Sequence, residues 1–291
     1  MAAAISDLVE DWIGSPPVVY FQFQRALNNP ESAFEDFGEI ISADPGLSAR
    51  LLRIVNSPFY GFESKVETIT HALSIVGLQQ LTELALASVV ISKFENIPAD
   101  LVIMEEFWIH SIACGLAAKI IASKKNEKYL EKFYLAGMLH DIGYLVLYKK
   151  IPDQMRIILK ECEERGSQVV YQEDKFLGFN HTAVGGALLK EWLLPDILVE
   201  SVAYHHNPLE CENFMLEASI VHVADILVHD MKLGHSGGPA IPQLDANVIG
   251  EIELTEKFVG EVQDEVIQQV EDTVKVFYGT TPLHKNLGRK L

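Results

Sequence analysis

Ala136-Gly-Met-Leu-His140-Asp141-Ile-Gly-Tyr144 is the stretch whose reading decides the fold. A histidine followed at once by an aspartate sits there in an apolar, helix-like run. An ionised carboxylate among apolar neighbours costs several kcal/mol unless it is paired or holds a metal. The imidazole offers nitrogen and the carboxylate offers oxygen, a donor pair that suits a divalent first-row metal. Further ligands should then converge on the pair from elsewhere in the chain.

Upstream, Glu106 and His110 stand four residues apart, so both project from one face of a single helix. Phe107, Trp108 and Ile109 around them point to burial, although Glu105 is equally charged and only one of the two glutamates can face inward. Downstream, His181 opens a helix that contains Gly185-Gly186, and His205-His206 closes another before Asn207-Pro208. The run from Ile220 to Val228 is apolar except for His222 and Asp225, and a carboxylate in that setting again asks for a partner. Five helices thus each offer one or two ligands, and a helical bundle can gather such groups in its core. The expected ligand set is Glu106, His110, His140, Asp141, His181, His205, His206 and Asp225. His71, His222, His229, His235 and His284 are read as structural or solvated.

The pattern is helical almost throughout, with apolar residues recurring at three- and four-residue intervals and little strand-like alternation. The expected fold class is all-α. Pro16-Pro17 ends a short first segment. Asp44-Pro45 is a helix start, aspartate capping and proline in the first turn, and that helix stops near Asn56-Ser57-Pro58. Further helices are expected over 31–42, 70–76, 78–93 and 104–123. One long helix, about 129–149, should carry the His-Asp pair. Beyond it helices are expected over 153–165, 181–193, 195–206, 213–232 and 255–277, with a flexible loop from Gly234 to Pro242. Glu95 to Asp100 reads as the boundary between two helical halves, 1–100 and 101–291.

A chain of 291 residues with 48% hydrophobic and 22% charged residues can bury a substantial core. A formal net charge of −18 argues against a nucleic-acid-binding surface, which would concentrate Lys and Arg. The three cysteines, Cys114, Cys162 and Cys211, form no CxxC pair. Neither a disulfide framework nor a zinc ribbon is expected, and reduced buried thiols suit a cytoplasmic protein. The start Met-Ala-Ala-Ala-Ile-Ser-Asp lacks the features of a secretion signal. The longest apolar run, near Leu84 to Ile91, is too short to span a bilayer, so no membrane association is expected.

The order of His110, His140-Asp141 and Asp225 resembles the core pattern of the HD superfamily of helical metal-dependent phosphohydrolases. Glu106, His181 and His205-His206 extend the likeness to the HD-GYP cyclic-di-GMP phosphodiesterases. That resemblance implies two or three divalent metal ions, with Asp141 bridging two of them. A more specific likeness is to the HDOD family, the HD-related output domain of bacterial signalling proteins. It is carried by Asp44-Pro-Gly-Leu-Ser-Ala-Arg-Leu-Leu-Arg-Ile-Val-Asn-Ser57, by Ile69-Thr-His-Ala-Leu-Ser-Ile-Val-Gly-Leu78, and by Asn180 to Pro195 with His205-His206-Asn-Pro after it. It spans roughly residues 15 to 275 and implies an HD-like helical bundle behind an N-terminal HDOD subdomain.

The departures bear on activity. No Gly-Tyr-Pro follows His205-His206, and Tyr144 stands where the HD-GYP enzymes usually carry a lysine able to hold substrate phosphate. Members of the HDOD family are generally regarded as non-catalytic regulators. The expected function is therefore a signalling module that holds a metal centre and acts on a protein partner. The alternative is a phosphohydrolase acting on a nucleotide or cyclic dinucleotide, and a weaker one is an oxygen-using di-iron enzyme. Mixed imidazole and carboxylate ligands suit Fe, Mn, Ni or Zn, with iron expected first.

Overall fold

Side-chain caps begin several of the helices where the sequence places them. Asp44 accepts the Leu47 N–H at 3.0 Å, with Pro45 in the first helical position. Thr68 accepts from His71 N at 3.1 Å, and Asn180 from Ala183 N at 3.1 Å. Each satisfies a backbone donor that has no partner within its own helix.

The computed structural model describes residues 4–10, 22–23, 25–26, 29–56, 60, 62, 64–94, 96–238 and 240–278. Among them every regular element is helical. In chain order these are α1 (Ile5–Glu10), α2 (Phe34–Ser42), α3 (Pro45–Val55), α4 (Ile69–Val76), α5 (Leu78–Lys93), α6 (Met104–Lys124), α7 (Leu130–Leu139) and α8 (Ile142–Lys150). There follow α9 (Pro152–Arg165), α10 (Val169–Leu177), α11 (His181–Glu191), α12 (Asp196–Ala203), a 3-10 turn (Pro208–Glu210), α13 (Met215–Met231), α14 (Ala246–Ile252) and α15 (Glu256–Tyr278). No helix among the described residues is long and apolar enough to cross a membrane. Pro16-Pro17, Ser57-Pro58 and His284 lie outside the described residues.

The chain forms two units, and their limits differ from a cut at residue 100. One unit joins Met1–Gly14, with α1, to Phe94–Val266; the other holds Ser15–Lys93 and the part after Val266. The first helix joins the later unit because Leu8 and Val9 are buried, with α1 packed on α8 and α11. The C-terminal limit falls inside α15.

In the unit that contains α2 to α5, Phe37, Ile41, Leu47, Leu51, Ile54, Leu73 and Leu81 form a continuous apolar core. Asn56 ends α3 and clamps the chain beyond it. Its side chain donates to Val66 O and accepts from Val66 N, each at 2.7 Å. Arg50 Nε donates to Ser88 Oγ at 2.7 Å, tying α3 to α5. The conspicuous polar residues of this stretch therefore serve as caps and clamps.

The other unit is built around α6, which is buried on nearly every side from Phe107 to Ala122. Helix α7 crosses it at very short range, because a Cβ on Gly137 would lie 2.6 Å from the Cys114 carbonyl oxygen. The single helix expected over 129–149 is instead two. Asp141 leaves helical geometry (φ −98°, ψ 10°), and α8 restarts at Ile142. The kink places His140 and Asp141 at a junction, where both side chains face the bundle core.

Candidate metal centre

Two helices, one helix junction and two helix ends bring the site together. His110 comes from the middle of α6, and His140-Asp141 from the α7–α8 junction. His181 is the first residue of α11, His205-His206 follow the end of α12, and Asp225 lies in α13. Helices α8 and α11 meet closely at Gly143, where a Cβ would fall inside contact distance of the His181 carbonyl. His110, His140, Asp141, His181, His205 and Asp225 are all buried, and His206 is partly exposed.

The two carboxylates organise the imidazoles. Asp225 Oδ1 lies 3.1 Å from His110 Nε2, 3.5 Å from His140 Nε2 and 3.3 Å from His229 Nε2. Asp141 Oδ2 faces His140 Nε2 at 3.1 Å and His110 Nε2 at 3.8 Å. Its other oxygen faces His181 Nε2 at 3.4 Å and His205 Nε2 at 3.6 Å. Asp141 thus turns one oxygen toward each of two imidazole groups. His206 Nε2 closes the far side, 3.2 Å from His181 Nε2.

The outward-facing ring nitrogens fix the tautomers. His140 Nδ1 lies 2.7 Å from Gly137 O, and His205 Nδ1 lies 2.8 Å from Val202 O. A carbonyl oxygen only accepts, so each Nδ1 carries a proton, and in the neutral ring each Nε2 presents a lone pair inward. Those two Nε2 atoms are buried and make no hydrogen bond among the described residues. Buried acceptors left without a donor are costly in a protein interior. A divalent cation satisfies both, and outer hydrogen bonds of this kind are how ligating histidines are held. The residues present therefore fit a metal. The ligand atoms fall into groups His110-Cys114-His140-Asp225, His140-Asp141-His205 and His181-His205-His206, each within 4.8 Å internally.

The electrostatics agree with that fit. Burial would raise the carboxyl of Asp141, but His140, His205 and His181 hold it well below the usual carboxylate range. Asp225 is likewise held well below it against burial, by His229, His110 and His140. Burial pushes His110 and His205 down and, aided by His205 and His181, pushes His206 far down. His140 is raised despite its burial, by Asp141 and Asp225. The site holds two ionised carboxylates among imidazoles of which His110, His205 and His206 are lowered and His140 and His181 raised, so positive charge gathers beside the carboxylates, an arrangement suited to a cation.

Glu106 stands apart from the other expected ligands. It is half-buried in the first turn of α6, and its carboxylate enters none of the three groups. Its backbone carbonyl accepts instead from His235 N at 3.2 Å, which pins the start of the loop at Gly234. His229, read from sequence as structural or solvated, stands beside Asp225 with its ring 4.6 Å from that of His110. The signal for it was its spacing, one helical turn after Asp225. His222 is structural, bonded to His205 O at 2.8 Å. Glu173, in a helix the periodicity did not reveal, accepts from His181 Nδ1 at 2.6 Å. Nothing in its local sequence marks it.

Tyr144 covers one side of the centre. Its ring stacks on His181 with centroids 3.8 Å apart and planes 15° from parallel. The cavity that touches Asp141 and Asp225 here is only about 20 Å³, lined in part by Tyr144, Val169, Val170 and Pro242. A larger cleft of about 790 Å³, lined in part by Arg156, Lys160, Lys232 and His235, reaches the cluster only at His229.

Known proteins resemble this chain in sequence and in fold. A Treponema pallidum protein of uncharacterised function is 28% identical over 208 residues, which is 71% of this chain but 40% of that protein's length. A protein of Shewanella amazonensis, provisionally named a phosphohydrolase, superimposes with a TM-score of 0.74 at 22% identity, covering 95% of this chain and 98% of its own. An HDOD domain protein of unknown function from Geobacter sulfurreducens gives 0.73 at 21% identity, covering 93% and 97%. A Marinobacter aquaeolei protein, provisionally named a signal transduction protein, gives 0.73 at 21% identity, covering 95% and 62%. At these identities the structures speak to the fold alone. The HDOD domain pattern itself matches residues 13–208, two thirds of the sequence, and the chain belongs to the HDOD domain family.

Proposed function

We propose that this chain is a signalling output module whose HD-like unit holds two or three divalent metal ions and acts through a protein partner. The observation that carries this reading is the small space left beside the centre. A cavity of about 20 Å³ admits a water molecule, whereas a small-molecule site occupies roughly 300–1,000 Å³. Tyr144 fills the place beside Asp141 and His181 that a substrate phosphate would need. Ions held there would cross-link α6, the α7–α8 junction, α11, the end of α12 and α13, so that metal occupancy sets the shape of the unit. His110, His140, Asp141, His181, His205, His206 and Asp225 are the proposed ligands. His229 stands beside Asp225, and Asp141, with an oxygen toward each imidazole group, would hold two of the ions. Iron is the first choice, with manganese, nickel and zinc also suited to the donors. Reduced buried thiols fit a cytoplasmic setting.

The second reading, a phosphohydrolase acting on a nucleotide or cyclic dinucleotide, draws support from the larger cleft, whose Arg156, Lys160 and Lys232 stand on the same cavity wall as His229. Bound metal would there supply Lewis-acid polarisation and a deprotonated water. The test combines elemental analysis of protein purified without a chelating tag with a phosphoester panel assayed in added Mn²⁺ or Fe²⁺. Bound metal without turnover supports the regulatory module. Turnover that disappears in Asp141→Ala rejects it.

A further inference from the structure

Cys114 lies one turn after His110 on α6 and is fully buried. Its Sγ is 3.5 Å from His110 Nε2. With His140 Nε2 and Asp225 Oδ1 it completes a four-atom group in which every pair lies within 4.8 Å. The other measured edges are 3.1 Å from His110 Nε2 to Asp225 Oδ1 and 3.5 Å from His140 Nε2 to the same oxygen. A tetrahedral ion bonded at about 2.0 Å to nitrogen or oxygen and about 2.3 Å to sulfur separates its donors by roughly 3.3–3.6 Å. Three of the six edges, at 3.1–3.5 Å, come close to those dimensions, and the other three lie within 4.8 Å. The buried lone pair on His140 Nε2, without a hydrogen bond among the described residues, points independently to a cation at the same place.

We infer that Cys114, as a thiolate, is the fourth ligand of the ion held by His110, His140 and Asp225. This rests on the metal-centre reading above and adds a sulfur that the sequence pattern did not include. When the ion binds, the S–H bond breaks, the proton leaves to solvent and the sulfur lone pair forms the bond to the metal. No electrons are transferred. A thiolate makes this position softer than one of nitrogen and oxygen alone, which favours Zn²⁺ or Fe²⁺ over Mn²⁺. It also fills the coordination sphere, as in structural rather than catalytic sites. The three groups then differ in chemistry, and the one containing Cys114 is the closed one.

Co²⁺ loading of the full chain tests the assignment. A thiolate ligand gives a sulfur-to-cobalt charge-transfer band in the near ultraviolet beside the visible ligand-field bands. That band should appear in the unaltered chain and persist in Cys162→Ala/Cys211→Ala, since those thiols lie elsewhere. It should vanish in Cys114→Ser, with affinity lower by about tenfold or more. X-ray absorption of the zinc-loaded, unaltered chain should show a sulfur neighbour at about 2.3 Å, and this measurement needs no variant to fold. Ligand-field bands without charge transfer, together with no sulfur scatterer, overturn the Cys114 assignment and leave the metal centre standing. Failure to bind Co²⁺ or Zn²⁺ at all overturns both.

Discussion

Glu173 holds His181 by two atoms at once, its Oε2 accepting from the ring Nδ1 at 2.6 Å and from the backbone N–H at 3.0 Å. The carboxylate therefore fixes the start of α11 and the tautomer of its first side chain together. With the proton on Nδ1, the neutral His181 ring presents Nε2 to Asp141 and His206 as a lone pair. Burial pulls the imidazole down in pKa, yet Glu173 and Asp141 raise it overall.

Removing that carboxylate should weaken the metal position that His181 shares with His205 and His206. Glu173→Ala is expected to cost about 10–100-fold in affinity there. It should also cost roughly 1–3 kcal/mol of stability, because a buried Nδ1–H loses its acceptor. Glu173→Gln keeps an acceptor and should cost less on both counts. Chelator competition and urea unfolding read the two effects separately. Equal affinity in all three proteins would refute the role assigned to Glu173.

Much of the site was legible because the costly residues are local anomalies. His140-Asp141 and Asp225 interrupt apolar runs, and an interrupted run is visible without coordinates. The break between α7 and α8 was not, since helix periodicity continues through it from Tyr134 to Tyr148. Glu173 was hidden for the opposite reason: it sits among Gln172, Asp174 and Lys175, where a carboxylate looks solvated. His229 carried a readable spacing that was outweighed by its position near the polar end of α13. In the other unit Asp44 and Gly77 marked helix ends correctly, because caps act within a few residues of themselves, whereas the cap at Thr68 was not read and its helix begins at Ile69 rather than at residue 70.

Two glycines should behave oppositely when replaced by alanine. At Gly143 the added methyl would meet the His181 carbonyl and, at 2.8 Å, the Gly185 nitrogen, both backbone atoms that cannot swing aside. Gly143→Ala should destabilise by about 3 kcal/mol or more, and loosen the metal ligands on either side. Gly260, inside α15, has nothing within 4 Å of its prospective Cβ. Gly260→Ala should stabilise by about 0.5–1 kcal/mol through helix propensity. Denaturant midpoints of the two variants, with unchanged slopes, check the contrast.

Alkaline stability should depend on Tyr134, packed where α6 and α7 cross. Burial alone raises its phenol far above the ordinary value of 10.0. The folded protein keeps that proton while the unfolded chain releases it, so the unfolded state binds fewer protons above pH 10. Stability is then fully present below pH 10 and falls as pH rises past it, by up to about 1.4 kcal/mol per pH unit for this one group. Tyr134→Phe removes the titrating group and should make the decline between pH 10 and 11.5 shallower. Identical slopes in the two proteins would show that the phenol is not protected.

Tyr144 provides a direct test of whether the small space at the centre keeps it silent. Its ring lies flat on His181 and borders the cavity of about 20 Å³ at Asp141 and Asp225. Tyr144→Ala removes a large buried ring, which should cost about 3–5 kcal/mol and leave a space above His181. Metal should then exchange faster with an external chelator, because water reaches the ligands. If the small cavity alone prevents chemistry, Tyr144→Ala loaded with Mn²⁺ or Fe²⁺ should gain slow phosphoester hydrolysis that the parent lacks. Tyr144→Lys puts a phosphate-binding cation at the same position and should gain more. Faster exchange without any hydrolysis in either variant would place the block in the ligand set itself rather than in the tyrosine, the outcome expected if an ion with a full coordination sphere offers no open position.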